Sequence, residues 1–271
     1  MPDWARLALG TLTIVRVSPP RATDTVGATT AIAQSTARGA MLAAPLVGLL
    51  LAAPAALLVW GAGRSPLLAS ALVIALLALL TRGLHLDGLA DTADGLGSGK
   101  PREGALTIMR QSDIGPFGVA TLVLTVLVQT AALNTIVISG RDFPGYAPLA
   151  VAVALVVSRA ALPLACRSGI PAARPGGLGA AVAGSVPTWA AGCVSALVVA
   201  MAAAAGFWAA GFSAGDPFSA PGWALAAVLG LGAGILVTRR CVARLGGVTG
   251  DTLGAAVEVT MTVTLVVLAL V

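Results

Sequence analysis

Charged residues are scarce in this sequence. Only 10% of its 271 residues are Asp, Glu, Lys or Arg, whereas a soluble domain carries about 25%. Hydrophobic residues make up 58%, and they come in runs of about the 20 residues that a helix needs to cross the hydrocarbon core of a membrane. These features exclude an ordinary soluble domain and predict an all-α, polytopic integral membrane protein within a lipid bilayer.

Histidine and cysteine are also rare, with one His and three Cys. A single histidine excludes a multi-histidine zinc site, and the cysteines, at 166, 193 and 241, lack metal-ligand spacing. The net charge of +5 comes without a dense basic run, so nucleic acid is not an expected partner. The sequence carries no signal for a particular oligomeric state.

The apolar runs predict about seven transmembrane helices in one membrane-embedded domain over residues 1–271. The spans are 41–60, 66–84, 114–138, 147–166, 190–211, 221–238 and 255–271, of which the last is short. Arg6 and Arg16 interrupt the apolar N-terminal stretch, which disagrees with a signal peptide. We expect an interfacial amphipathic helix there instead.

The basic residues are distributed unevenly between the predicted connections. If the spans alternate in direction, 14 of the 16 Lys and Arg residues fall on one side, and Arg64 and Arg141 alone fall opposite. By the positive-inside rule, the N-terminus and the richer side face the cytoplasm. Most acidic residues lie on that side too, which favours an enzyme over a transporter with charges at the bilayer midplane.

The segment "HLDGLADTADGLGSGK", residues 85–100, gathers three aspartates: Asp87, Asp91 and Asp94. On a helix these positions fall within about 60° of one another, so the carboxylates form one ridge. Three anions on one face repel each other unless a cation lies between them, and Mg²⁺, with Mn²⁺ as the alternative, prefers such hard oxygen ligands. The alternative is a solvated Asp-Gly turn that caps the second span.

A second acidic pair lies in "GGVTGDTLGAAVE", where Asp251 and Glu258 are seven residues apart and share a helix face. A carboxylate inside a span is costly unless it is paired or binds a metal, so both are candidate metal ligands. The alternative for Glu258 is an interfacial side chain that reaches water. Thr249 and Thr252 either position the carboxylates or cap the helix.

Two segments supply candidate substrate-binding residues. In "IMRQSDIGPFG", Arg110 and Ser112 are candidates for phosphate binding, and Asp113 is either a further ligand or the N-cap of the third span. At the loop "CRSGIPAARPGGLG", the candidates are Arg159, Arg167 and Arg174, together with Gly177 in a flexible glycine-rich stretch. These arginines either clamp a nucleotide phosphate in a loop or only set the topology.

The blocks "HLDGLADTADGL", "IMRQSDIGPFG" and "GGVTGDTLGAAVE", with "RGAMLAAPLVGLLL" and "SRAALPLA", resemble the adenosylcobinamide-GDP ribazoletransferases, also called cobalamin 5′-phosphate synthases. The resemblance runs along nearly the whole chain in the family's order. It implies a Mg²⁺-dependent enzyme of the cytoplasmic (inner) membrane that works in cobalamin biosynthesis. This enzyme joins adenosylcobinamide-GDP to α-ribazole or its 5′-phosphate and releases GMP. Asp87, Asp91 and Asp94 fall on the family's acidic motif, and Asp251 and Glu258 on its C-terminal motif.

The reaction implied by this resemblance needs a base for the attacking ribazole hydroxyl. The candidates are one of the ridge aspartates or His85, although an ideal helix points His85 about 200° away from Asp87. The alternative for His85 is a hydrogen-bonded structural histidine at the membrane interface. Two other functions compete with the implied one: a CDP-alcohol phosphotransferase-like enzyme making phospholipid, and a cation transporter with the aspartates at its entrance.

Overall fold

The computed structural model describes residues 1–18, 24–26, 29–31, 33–61, 65–140, 145–210 and 219–271. Within these ranges the helices are α1 (Asp3–Leu12), α2 (Gln34–Leu42), α3 (Ala44–Gly61), α4 (Pro66–Leu80), α5 (Leu84–Gly97), α6 (Arg102–Ile108), α7 (Pro116–Ser139), α8 (Tyr146–Ala165), α9 (Gly177–Val182), α10 (Thr188–Ala210), α11 (Ser219–Leu245) and α12 (Gly250–Leu270). Two short strands, β1 (Asp24–Val26) and β2 (Thr29–Ala31), pair antiparallel. The predicted all-α class is confirmed, with this hairpin as a small addition. Arg64 and Arg141 of the topology prediction lie outside the described residues.

Six of the described helices are long and apolar enough to cross a membrane: α3, α7, α8, α10, α11 and α12. Helices α4 and α5 meet the same criteria only as a pair joined at a sharp bend, which brings the number of spans to as many as seven. This range agrees with the prediction of about seven. Residues on the outer faces of these helices, such as Leu57, Leu127 and Phe207, are large, apolar and exposed, as expected for side chains that contact lipid.

The predicted second span, 66–84, ends early because the backbone turns at Arg82 and Gly83. Both residues adopt left-handed conformations, with φ of 56° and 67°, and the Gly83 N–H donates to the Ala78 carbonyl at 2.7 Å. Such a bond satisfies one of the free carbonyls at the end of α4. The chain then bends by 89° into α5. Because α5 carries three aspartates, which are costly in hydrocarbon, we expect α4 to form the apolar part of this seventh span and α5 to lie outside the membrane-spanning segments.

The last span begins earlier than its apolar run. Thr249 and Thr252 form a capping box at the start of α12: the Thr249 hydroxyl accepts from the Thr252 N–H at 3.2 Å, and the Thr252 hydroxyl accepts from the Thr249 N–H at 2.8 Å. The cap interpretation of these threonines is therefore confirmed. With 21 residues, α12 has the length of a full span, so the short 255–271 segment of the prediction is extended.

Helix α8 occupies the centre of the bundle and is buried along most of its length. It packs against α3, α10, α11 and α12. Small residues allow close approach at these contacts: Gly48 of α3 lies against the backbone at Leu155, and Gly234 of α11 lies against Ala161. Packing at small residues is the usual way in which membrane helices associate. The amphipathic α1 buries its apolar face and packs against α2.

Candidate active site

Glycines bring α5 against the beginning of α12. A Cβ atom at Gly88 would lie 2.6 Å from the Asp251 carbonyl oxygen, and one at Gly254 would lie 3.1 Å from the Cα of His85. The two backbones are therefore in direct contact, which only glycine permits at this distance. This contact places the Asp87 and Asp91 side of α5 beside Asp251.

Replacing Gly88 with valine is expected to separate α5 from α12. The added side chain would overlap the backbone at Asp251, and overpacking of this kind costs about 1–3 kcal/mol. We expect the apparent melting temperature of the purified protein in detergent to fall clearly. Ala93→Val, at a half-buried position of the same helix, controls for placing a β-branched residue in α5. Equal melting temperatures for the two variants would contradict a close contact at Gly88.

A cavity of about 420 Å³ opens where these helices meet the loop before α9. The polar residues of its wall come from five separate parts of the chain, and they are Thr11, His85, Asp87, Arg110, Arg174, Thr249 and Asp251. Residues 176–179 form another part of the wall, where Gly177 has a left-handed φ of 83°. The structure thus brings together six of the predicted site residues: His85, Asp87, Arg110, Arg174, Gly177 and Asp251.

Asp251 is fixed in the first turn of α12. Its Oδ2 atom accepts from Arg174 Nη2 at 2.5 Å and from the Thr249 hydroxyl at 3.1 Å. The aspartate also lies at the helix N-terminus, where a negative charge is favoured by the helix dipole. The sequence identified Arg174 and Asp251 as site residues but gave no indication that they pair, because 77 residues separate them.

The ridge of aspartates on α5 creates a local excess of negative charge. The pKa of Asp91 rises to about 6 because of partial burial and because the carboxylates of Asp87, Asp251 and Asp94 repel its charge, while Arg174 acts in the opposite direction. The positive charge of Arg174 therefore does not outweigh the combined effect of burial and the three carboxylates on the Asp91 pKa. A bound cation would relieve this repulsion.

Asp94 differs from the other two ridge residues. Its side chain is only 7% exposed, and its two carboxylate oxygens accept from the backbone N–H groups of Gly115 at 2.8 Å and Gly118 at 2.9 Å. Asp94 thus ties α5 to the start of α7. The sequence had considered Asp113 for the N-cap of this span, but Gly115 occupies the N-cap position and Asp94 supplies the acceptor from another helix. The exposed Asp113 and Ser112 are not part of the cavity wall.

Glu258 and Arg159 lie away from this cavity. Glu258 is about two helical turns, or about 10 Å, beyond Asp251, where Gln129 Nε2 donates to its carboxylate at 2.9 Å. Arg159 is inside α8 and not in the following loop; its side chain is 2% exposed and donates to the Ser158 hydroxyl at 2.8 Å. Both residues line a separate cavity of about 10 Å³, so the expected place of Arg159 in a phosphate-binding loop is wrong.

His85 lines the main cavity, although ideal helix geometry had pointed it away from the carboxylate ridge. Its side chain is 4% exposed and its Nδ1 atom is buried without a hydrogen-bond partner. Burial, reinforced by the positive charge of Arg159, lowers the pKa of the imidazole to about 3. The ring is therefore neutral near pH 7.

The carboxylates do not by themselves enclose a metal ion. Across the described ranges, no three His, Cys, Asp or Glu side chains are grouped as a ligand set for one ion. Mg²⁺ commonly takes only one or two carboxylates and completes its coordination with water and substrate phosphates. The donor set at the α5–α12 contact therefore fits an ion shared with a phosphorylated substrate better than a closed, purely protein-bound site.

Comparison with known proteins identifies the family. The family model described as cobalamin-5-phosphate synthase matches residues 5–269. Proteins named adenosylcobinamide-GDP ribazoletransferase are similar along most of the chain. The one from Frankia casuarinae is 40% identical over 98% of this chain and 94% of its own length, and the one from Nocardioides sp. is 39% identical over 98% and 97%.

A third relative of the same name, from Bradyrhizobium diazoefficiens, is 38% identical over 85% of this chain and 82% of its own length. No solved structure matches the chain. The family match covers the helices that form the cavity as well as those that surround it. The chain therefore belongs to the cobalamin-5-phosphate synthase family and is a membrane-embedded transferase of cobalamin biosynthesis.

Proposed function

We propose that this protein joins adenosylcobinamide-GDP to α-ribazole or its 5′-phosphate in a Mg²⁺-dependent reaction that releases GMP. The observation that carries this proposal is the cavity at the α5–α12 contact, where Asp87 and Asp251 face the guanidinium groups of Arg110 and Arg174. Carboxylates that can hold a cation and arginines that can bind phosphate oxygens are the two requirements of a diphosphate site. The names of the similar proteins supply the substrates.

Asp87 and Asp91 are the residues best placed to hold Mg²⁺. They lie one helical turn apart on the same side of α5, beside Asp251. Asp94 is less suited to this role because backbone N–H groups occupy both of its oxygens. Mg²⁺ bound here would neutralise the diphosphate and stabilise the negative charge that develops on the departing GMP.

The protein's own side chains would position the reacting groups. Arg110 and Arg174 would donate to diphosphate oxygens, and the glycines at 176–179 would let the backbone approach the substrate closely. The hydroxyl of the ribazole ribose attacks the phosphate on the cobinamide side, and the bond from that phosphate to GMP breaks. A carboxylate of the α5 ridge is better suited than His85 to accept the proton of this hydroxyl. The pKa of His85, about 3, makes its imidazole a poor base near pH 7.

The bundle would expose this cavity to the cytoplasm. The segments that supply its residues, 82–113, 159–189 and 239–254, belong to the set that holds 14 of the 16 basic residues. The positive-inside rule assigns that set to the cytoplasmic side of the inner membrane. Both substrates would then reach the site from the cytoplasm without crossing the bilayer.

A turnover assay on the purified protein in detergent tests the proposal. With adenosylcobinamide-GDP, α-ribazole and Mg²⁺, we expect GMP and adenosylcobalamin to form in equal amounts, and EDTA to stop both. Formation of a phospholipid from a CDP-linked donor, with no cobalamin product, would favour the phosphotransferase alternative instead. Cation flux in proteoliposomes without any product would favour the transporter.

A further inference from the structure

A second groove adjoins the main cavity on the side of α6. Its volume is about 420 Å³, and its polar wall contains Arg102, Glu103, Arg110 and Arg174. Arg110 and Arg174 line both spaces. A ligand in the groove would therefore lie next to a diphosphate in the main cavity, within reach of the same two arginines.

Arg102 is held in place by backbone atoms. Its Nη2 atom donates to the Ala173 carbonyl at 3.0 Å. Its guanidinium also lies against the backbone of Gly246: a Cβ atom added to this glycine would come within 2.7 Å of the Arg102 Cζ. Gly246 adopts a left-handed conformation, with a φ of 78°. A guanidinium fixed in this way loses less conformational freedom when it binds an anion, so the groove is preorganised.

The groove has an excess of positive charge. Three guanidinium groups face one carboxylate, that of Glu103. Among the described residues, Arg174 forms an ion pair with Asp251, whereas Arg102 and Arg110 form none. The planar donor fork of arginine matches the oxygens of phosphate, and two unpaired arginines suit an ion with two negative charges.

We infer that this arginine groove binds the phosphate monoester of a nucleotide. The inference rests on the proposed function, in which two molecules carry such a group: the acceptor α-ribazole 5′-phosphate and the released GMP. The intact donor has only the internal diphosphate, which the main cavity accommodates. The groove would therefore favour either the phosphorylated acceptor over free α-ribazole, or retention of GMP after the transfer.

Calorimetric titration of the full-length protein in detergent distinguishes these sources. The probes are α-ribazole 5′-phosphate and GMP, each compared with its dephosphorylated form, α-ribazole or guanosine. For one phosphorylated probe, we expect Arg102→Ala to raise Kd about tenfold through the loss of a charge-assisted hydrogen bond. The Kd of its dephosphorylated form should not change. Glu103→Gln should lower Kd for the same probe, because it removes the opposing charge.

Arg240→Ala is the matched control, since Arg240 is exposed on α11 and lines neither cavity. If Arg102→Ala fails to fold, Arg102→Lys keeps the charge while losing the fork, and a smaller rise in Kd is expected. If Arg102→Ala weakens the binding of α-ribazole 5′-phosphate alone, the groove binds the acceptor. If it weakens the binding of GMP alone, the groove binds the leaving group. No change, or equal weakening with the dephosphorylated probes, overturns the inference. Because binding requires no turnover, a failed transfer assay would count against the proposed reaction and not against the groove.

Discussion

Replacing Asp91 with asparagine is expected to lower turnover by about a thousandfold, the loss expected when several kcal/mol of charge stabilisation disappear from the transition state. The substitution keeps the size of the side chain but removes one of the two carboxylates assigned to Mg²⁺. The neighbouring Asp87 would remain, so residual activity should require more Mg²⁺ than the wild type does. GMP release at increasing Mg²⁺ concentrations measures both effects.

The stability of the same variant separates a role in metal binding from one in folding. Asp91 is repelled by Asp87, Asp251 and Asp94, so its neutralisation should not lower the melting temperature in EDTA. Added Mg²⁺ should raise the melting temperature of the wild type, because a ligand that binds only the folded state stabilises it. It should raise that of the variant much less. An equal Mg²⁺-dependent shift in both proteins would place the ion away from Asp91.

The sequence was sufficient to predict the membrane spans and the carboxylate ridge. Long apolar runs and the spacing of Asp87, Asp91 and Asp94 are local patterns, and a helix converts each of them directly into geometry. The start of α12 was mispredicted because the apolar run begins only after the capping box that contains Thr249. The end of α4 was missed because left-handed backbone at Arg82 is rare and has no reliable sequence signal.

Features that depend on residues distant in sequence could not be predicted. The spacing of Asp251 and Glu258 is compatible with one shared site, but only the packing of α7 against α12 shows that Gln129 binds the Glu258 carboxylate. Arg159 falls inside the predicted span 147–166 but was grouped with Arg174 of the following loop, whereas the structure buries it inside α8. In both cases, burial in a bundle allows a polar side chain to remain within a span when a partner is nearby.

Replacing Asp94 with asparagine is expected to lower the stability of the protein, unlike the change at Asp91. Its two carboxylate oxygens accept from Gly115 and Gly118, and an amide offers only one acceptor oxygen, so one buried N–H group loses its partner. Losing a hydrogen bond to a charged group costs about 1.5–3 kcal/mol. The melting temperature of Asp94→Asn in EDTA should therefore fall below that of the wild type, while that of Asp91→Asn should not.

The loss of stability expected in Asp94→Asn should also lower activity, although Asp94 acts only by positioning α5. Asp94 holds α5 against the start of α7 through its two hydrogen bonds. Because α5 also carries Asp87 and Asp91, losing one of these bonds should make the metal-binding carboxylates less ordered and reduce turnover. Extra Mg²⁺ would not restore the lost hydrogen bond, but it should still raise the melting temperature of Asp94→Asn, because the carboxylates of Asp87 and Asp91 remain. Loss of that Mg²⁺-dependent shift, with no loss of stability in EDTA, would instead make Asp94 a ligand of the ion.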